Sequence, residues 1–124
     1  MGSQVSIALD IASTQFFDGE KYNLVNEGRT LTSSEFISYL SNLVSNQPII
    51  SIEDPFAEDD WQAWSAFTAI VPKNLQIVGD DLFTTNAARL ARGIAEKSAN
   101  SGATVMELAL LSGMEAKGRS CFTT

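Results

Sequence analysis

Histidine is absent from the 124 residues, cysteine occurs once, and the 8 lysines and arginines are outnumbered by 15 acidic residues. Without histidine there is no Ser–His–Asp or Cys–His catalysis and no imidazole for a zinc site. The lone Cys121 permits no internal disulfide. It has no histidine to activate it, so it reads as a free surface thiol, and nothing argues for an oxidising compartment. A net charge of −7 argues against a nucleic-acid surface, where lysine and arginine must neutralise phosphate. No apolar run approaches the length of a membrane span, and no basic segment followed by an apolar one opens the chain. The expected location is the cytoplasm. The opening Met1-Gly2-Ser3-Gln4-Val5-Ser6 fits the myristoylation pattern. An apolar strand begins at Val5, however, and a trimmed start or a cloning remnant accounts for Met1-Gly2-Ser3 equally.

What is present is the composition of a folded chain, 44% hydrophobic and 19% charged, with the length of one ordinary domain. Residues 5–12 (VSIALDIA), 49–53 (IISIE) and 75–78 (LQIV) are short apolar runs, the pattern of strands buried on both faces. Turns are expected at Asp18-Gly19-Glu20 and Asn26-Glu27-Gly28. Between the strands lie helical patterns. One starts at a Thr32/Glu35 capping box and presents Phe36, Tyr39, Leu40 and Leu43 before Asn46-Gln47-Pro48. A second, capped by Asp59 or Asp60, presents Trp61, Trp64, Phe67 and Ile70 and stops at Pro72. A third, capped by Thr85 or Asn86, runs through Ala99 with Leu90, Ile94 and Ala95 buried. Strand–helix alternation of this kind calls for an α/β fold with a parallel sheet and right-handed crossovers. Beyond Ser101-Gly102, residues 105–111 look helical and 117–124 are small and polar.

Each of the three strands ends in a carboxylate: Asp10, Glu53 and Asp80. In parallel α/β folds the C-terminal strand ends share one rim, where ligands bind. Three acids gathered there repel one another unless a hard divalent cation such as Mg2+ neutralises them. The plainer reading is that strand-end acids cap helices and shape turns. Asp54 and Asp81 fit a turn or an outer layer around such a cation.

Three segments carry a resemblance. ALDIASTQFFDGEKYNL, SIEDPFAEDDW and QIVGDDLFTTNAARLARGIAEKSAN, in that order, resemble consecutive parts of enolase, the phosphopyruvate hydratase of glycolysis. The resemblance implies a partial (β/α) barrel, about three consecutive βα units of the C-terminal TIM-like barrel in residues 1–101, followed by a divergent tail at 102–124. It also implies that Asp10, Glu53 and Asp80 hold Mg2+, and that Glu53 and Asp80 lie against the substrate. The family reaction dehydrates 2-phosphoglycerate to phosphoenolpyruvate with a lysine base and a glutamate acid. The matching acid belongs before Met1, and Val105 stands where the lysine is expected. Gly118-Arg119-Ser120 faintly resembles a substrate loop, with Arg119 and Ser120 at its last two positions and Gly118 in place of histidine.

The expected activity is therefore that of an enolase-family lyase segment, silent by itself for want of acid and base. A non-catalytic structural or interaction module derived from enolase is the alternative. A partial barrel also leaves open sheet edges and an uncovered face, which points to self-association or to pairing with the remainder of the fold. A receiver-type phosphoacceptor domain fits the length, but it needs an acidic pair after the first strand and a late-strand lysine, and this chain has neither.

Overall fold

The computed structural model describes residues 5–102. The expectations for Met1-Gly2-Ser3, Val105, the 105–111 helix, Arg119, Ser120 and Cys121 fall outside that range. The apolar runs fold as short strands: β1 (Ile7–Asp10), β4 (Ile49–Glu53) and β5 (Gln76–Gly79). Between them lie β2 (Lys21–Leu24), β3 (Arg29–Thr32), α1 (Ser33–Asn46) and α2 (Trp61–Ile70). α3 (Ala87–Glu96) and a short β6 (Ser101–Gly102) complete the order.

One sheet has the order β1-β4-β5-β6 with every pair parallel. Each new strand adds to the same edge, with no reversal of the kind that makes a doubly wound sheet. That progression is the path of a (β/α) barrel, of which this is a part. By composition Ser101-Gly102 marks a break in the strand–helix pattern. It is instead a fourth parallel strand, in register with Val78 and Gly79. Two residues are too few to show a periodicity, so only pairing reveals them.

Leu9, Ile52 and Ile77 are register partners on the face turned toward the helices, where Ile52 and Ile77 are fully buried. Phe36, Leu40, Trp64, Phe67, Phe83 and Leu90 belong to the same core. The opposite face carries Ala8, Asp10, Ser51, Glu53, Gln76 and Val78, all exposed or half-exposed. The strands are thus buried on one face among the described residues, and not on both. The open face is largely polar, unlike the apolar one expected to drive association.

Local chemistry sets most boundaries. Thr32 and Glu35 form the reciprocal capping box, Asp60 accepts the Ala63 N–H, and Asn86 accepts those of Ala88 and Arg89. α3 stops at Glu96, earlier than expected, because Lys97 turns left-handed (φ 53°). Gly93, not Ala95, shares its buried side with Leu90. Ile70 is 63% exposed. The spacing 61, 64, 67, 70 advances by threes, so Ile70 lies about 180° around the helix from Trp61.

The expected turns hold. Asp18 accepts the N–H groups of Glu20 and Lys21, and Gly28 takes a left-handed φ of 62°. The second turn joins β2 and β3 in an antiparallel hairpin, which no long alternation announced. The hairpin delivers Tyr22 into the core, stacked on Phe36 with ring centroids 4.4 Å apart.

Candidate metal centre

β1 and β4 end at Asp10 and Glu53, which are direct register partners, and Asp80 follows the last residue of β5. Because the strands are parallel, all three acids stand on one rim. Glu53 pairs in register with Val78, and Asp80 lies two residues further on, so the alternation of a strand turns it to the same side. Carboxylate oxygens of Glu53, Asp54 and Asp80 lie within 4.8 Å of one another. Asp10 is not in that closest group. It sits beside Glu53 on the neighbouring strand and is exposed.

Electrostatics matches the crowding. Partial burial pushes the Glu53 carboxyl above its ordinary range, and the charges of Asp10, Asp54, Asp80 and Asp81 push the same way. Asp54 is also raised, first by burial. The N–H groups of Asp81 and Asp80 oppose that rise by hydrogen-bonding its anionic form. Among the described residues the ion pairs are Arg29–Glu27, Arg89–Asp59 and Arg92–Glu96, and none of them involves a rim acid.

The donors fit a hard divalent cation: carboxylate oxygens alone, close together and bearing unbalanced negative charge. Asp59 and Asp60 have structural partners. Asp60 caps α2 and accepts the hydroxyls of Tyr22 and Ser33 at 2.7 and 2.6 Å. Asp59 pairs with Arg89 at 2.9 Å. Arg89 also donates to the carbonyls of Leu82 and Glu58 and lies over the Trp61 ring, so both tryptophans serve packing.

Asp54, which the sequence places in a turn or an outer layer around a cation, is buried beside the rim acids. It is 4% exposed, with φ 41°. No sequence signal marks that burial, because it follows from the left-handed φ of the residue just after β4 and not from strand alternation.

Residues 1–108 match the family model described as the enolase C-terminal TIM barrel domain. The chain belongs to the enolase C-terminal barrel family. A curated relative, the enolase of Natranaerobius thermophilus, is 50% identical over 100 residues, which is 81% of this chain. The chain spans 23% of the length of that enolase. The family match accounts for the uncovered face of the sheet, because a TIM barrel closes that face into its interior. It also gives the acidic rim of this enolase-family chain its position, the C-terminal end of the strands, where such barrels carry their sites. No helix among the described residues is long and apolar enough to cross a membrane.

Proposed function

We propose that this chain supplies the Mg2+-binding carboxylates of an enolase, the lyase that converts 2-phosphoglycerate to phosphoenolpyruvate in glycolysis. The observation that carries this reading is the convergence of Glu53 and Asp80, with Asp10 in register beside them, on one uncompensated rim of an enolase-family sheet. Asp10, Glu53 and Asp80 are assigned as the metal-holding residues. Glu53 and Asp80 also border the substrate, with Arg119 and Ser120 as further substrate contacts.

Bound Mg2+ supplies Lewis-acid stabilisation of the negative charge that develops on a substrate carboxylate. The residues of this chain hold and orient; none of the three rim acids is assigned a proton to move. A base lysine and an acid glutamate matching the family pattern are not among the 124 residues, and Val105 occupies the expected lysine position. The chain alone is therefore expected to be catalytically silent, with activity requiring the rest of the enolase fold. In this reading the barrel segment runs through Gly102 of β6, and a divergent tail follows. The setting is cytoplasmic, and the open edges of the sheet are completed by self-association or by the remaining barrel strands.

Calorimetric titration of the chain with MgCl2 tests the assignment. Weak binding by the wild type and none by Glu53→Gln is expected; equal heats for the two would overturn it. Mixing the chain with the complementary enolase segments is expected to restore turnover. Failure to do so, with Mg2+ binding intact, would favour a non-catalytic structural module.

A further inference from the structure

Asp54 is bonded to the ends of all three strands that carry the rim acids. Its N–H donates to the Val78 carbonyl on β5 at 3.0 Å, and its carbonyl accepts the Ser13 N–H, just beyond β1, at 3.1 Å. Its carboxylate reaches forward to the loop that bears Asp80. The Asp80 N–H donates to Oδ1 at 3.0 Å and the Asp81 N–H to Oδ2 at 3.1 Å. Ser13 adds a second tie from its hydroxyl to the Pro55 carbonyl at 2.8 Å, and the Ile11 N–H donates to the Glu53 carbonyl at 2.9 Å.

Two consecutive N–H groups held by one buried carboxylate fix the path of the chain where Asp80 leaves the sheet. Hydrogen bonds to a charged acceptor are stronger than neutral ones, and here they span one side chain with few rotamers. Each Asp54 oxygen is already engaged by backbone, although the side chain lies in the closest carboxylate group. We infer that Asp54 is a positioning residue, one that does not itself bind the cation but holds Asp80 against Glu53 through the Asp80 and Asp81 N–H groups. The inference rests on the reading of the rim as a divalent-cation site.

Asparagine tolerates a left-handed φ as aspartate does but offers one acceptor oxygen where two are needed, and it also removes one negative charge from the rim. The test titrates the full chain with MgCl2 as wild type, D54N and E53Q, with circular dichroism to establish folding. D54N is expected to raise the Kd for Mg2+ about 10- to 100-fold, as loss of an orienting outer partner does. A folded D54N with unchanged Kd overturns the role of Asp54 and leaves the metal site standing. Wild-type heats that are absent, or equal to those of E53Q, overturn the metal site itself. A merely structural bracket would lower the unfolding midpoint of D54N without moving the Kd of its folded form.

Amide hydrogen exchange in the wild type supplies a readout that needs no variant. The Asp80 and Asp81 amides are expected to be protected, and to exchange more slowly when MgCl2 is added. If D54N does not fold, exchange decides: unprotected amides, or protection indifferent to Mg2+, overturn the inference.

Discussion

Gly93 lies so close to Phe83 that a Cβ at Gly93 would sit 2.3 Å from Cε1 of the ring. The other side of that ring meets Gly79, where a Cβ would lie 2.9 Å from Cε2. Phe83 is fully buried, so it joins the end of β5 to α3 as a wedge between two glycines. The loop carrying Asp80 and Asp81 is thereby seated from below.

Gly93→Ala weighs two opposing effects. Alanine favours a helix over glycine by about 1 kcal/mol. Overpacking a filled core costs about 1–3 kcal/mol and more where backbone must shift. A 2.3 Å approach to a buried ring puts this site at the costly end. Net destabilisation is expected, seen as a lower thermal midpoint. A rise in that midpoint would show that the ring can move aside.

Tyr22 connects the hairpin to the loop before α2. Its hydroxyl donates to Asp60 at 2.7 Å and accepts the Ala57 N–H at 3.1 Å. Tyr22→Phe keeps the aromatic stack but leaves that N–H without its acceptor, a loss of about 1–3 kcal/mol. Chemical denaturation should show it as a lower midpoint with an unchanged slope.

Burial, and then the bond to Asp60, push the Tyr22 phenol far above its ordinary range. The folded state therefore favours the neutral phenol. Its contribution is fully present below the pKa of an unfolded tyrosine, about 10, and is lost as pH rises beyond that. Ultraviolet titration of wild type against Tyr22→Phe should show this phenol ionising only with unfolding.

Glu53 gives the opposite of the usual carboxylate behaviour. Its raised pKa means that the folded chain holds the proton more tightly than the unfolded one. In the absence of metal, stability from this group is fully present below the unfolded pKa and is lost as pH rises through the folded one. Glu53→Gln should accordingly raise the metal-free unfolding midpoint at neutral pH while removing Mg2+ binding. With saturating Mg2+ the wild type should gain stability and the variant should not, since only a cation bound to the native state adds this stabilisation. Equal midpoints for both proteins in EDTA at pH 7 would contradict the repulsion argument.

Much of the rim was legible because strand ends are local signals. IISIE followed by Asp54-Pro55 marked β4, and its register with β1 follows from parallel pairing, which sets Glu53 beside Asp10. Caps were equally plain, since Thr32, Asp60 and Asn86 act on N–H groups only two or three residues away. The β2–β3 hairpin and β6 were not legible, because four-residue and two-residue strands show too little periodicity to stand out.

Residues adjacent in the chain and matching motifs were enough for β1, β4, β5, the three helices, the family and the three strand-end acids. Only the tertiary contacts set which face of the sheet is covered. They also decided that Asp54, an acid among many in the sequence, turns inward to take the N–H groups of Asp80 and Asp81. The physical reason is separation along the chain. A bond between residues 26 and 27 positions apart exists only once β4 and β5 lie side by side, and no local propensity encodes it.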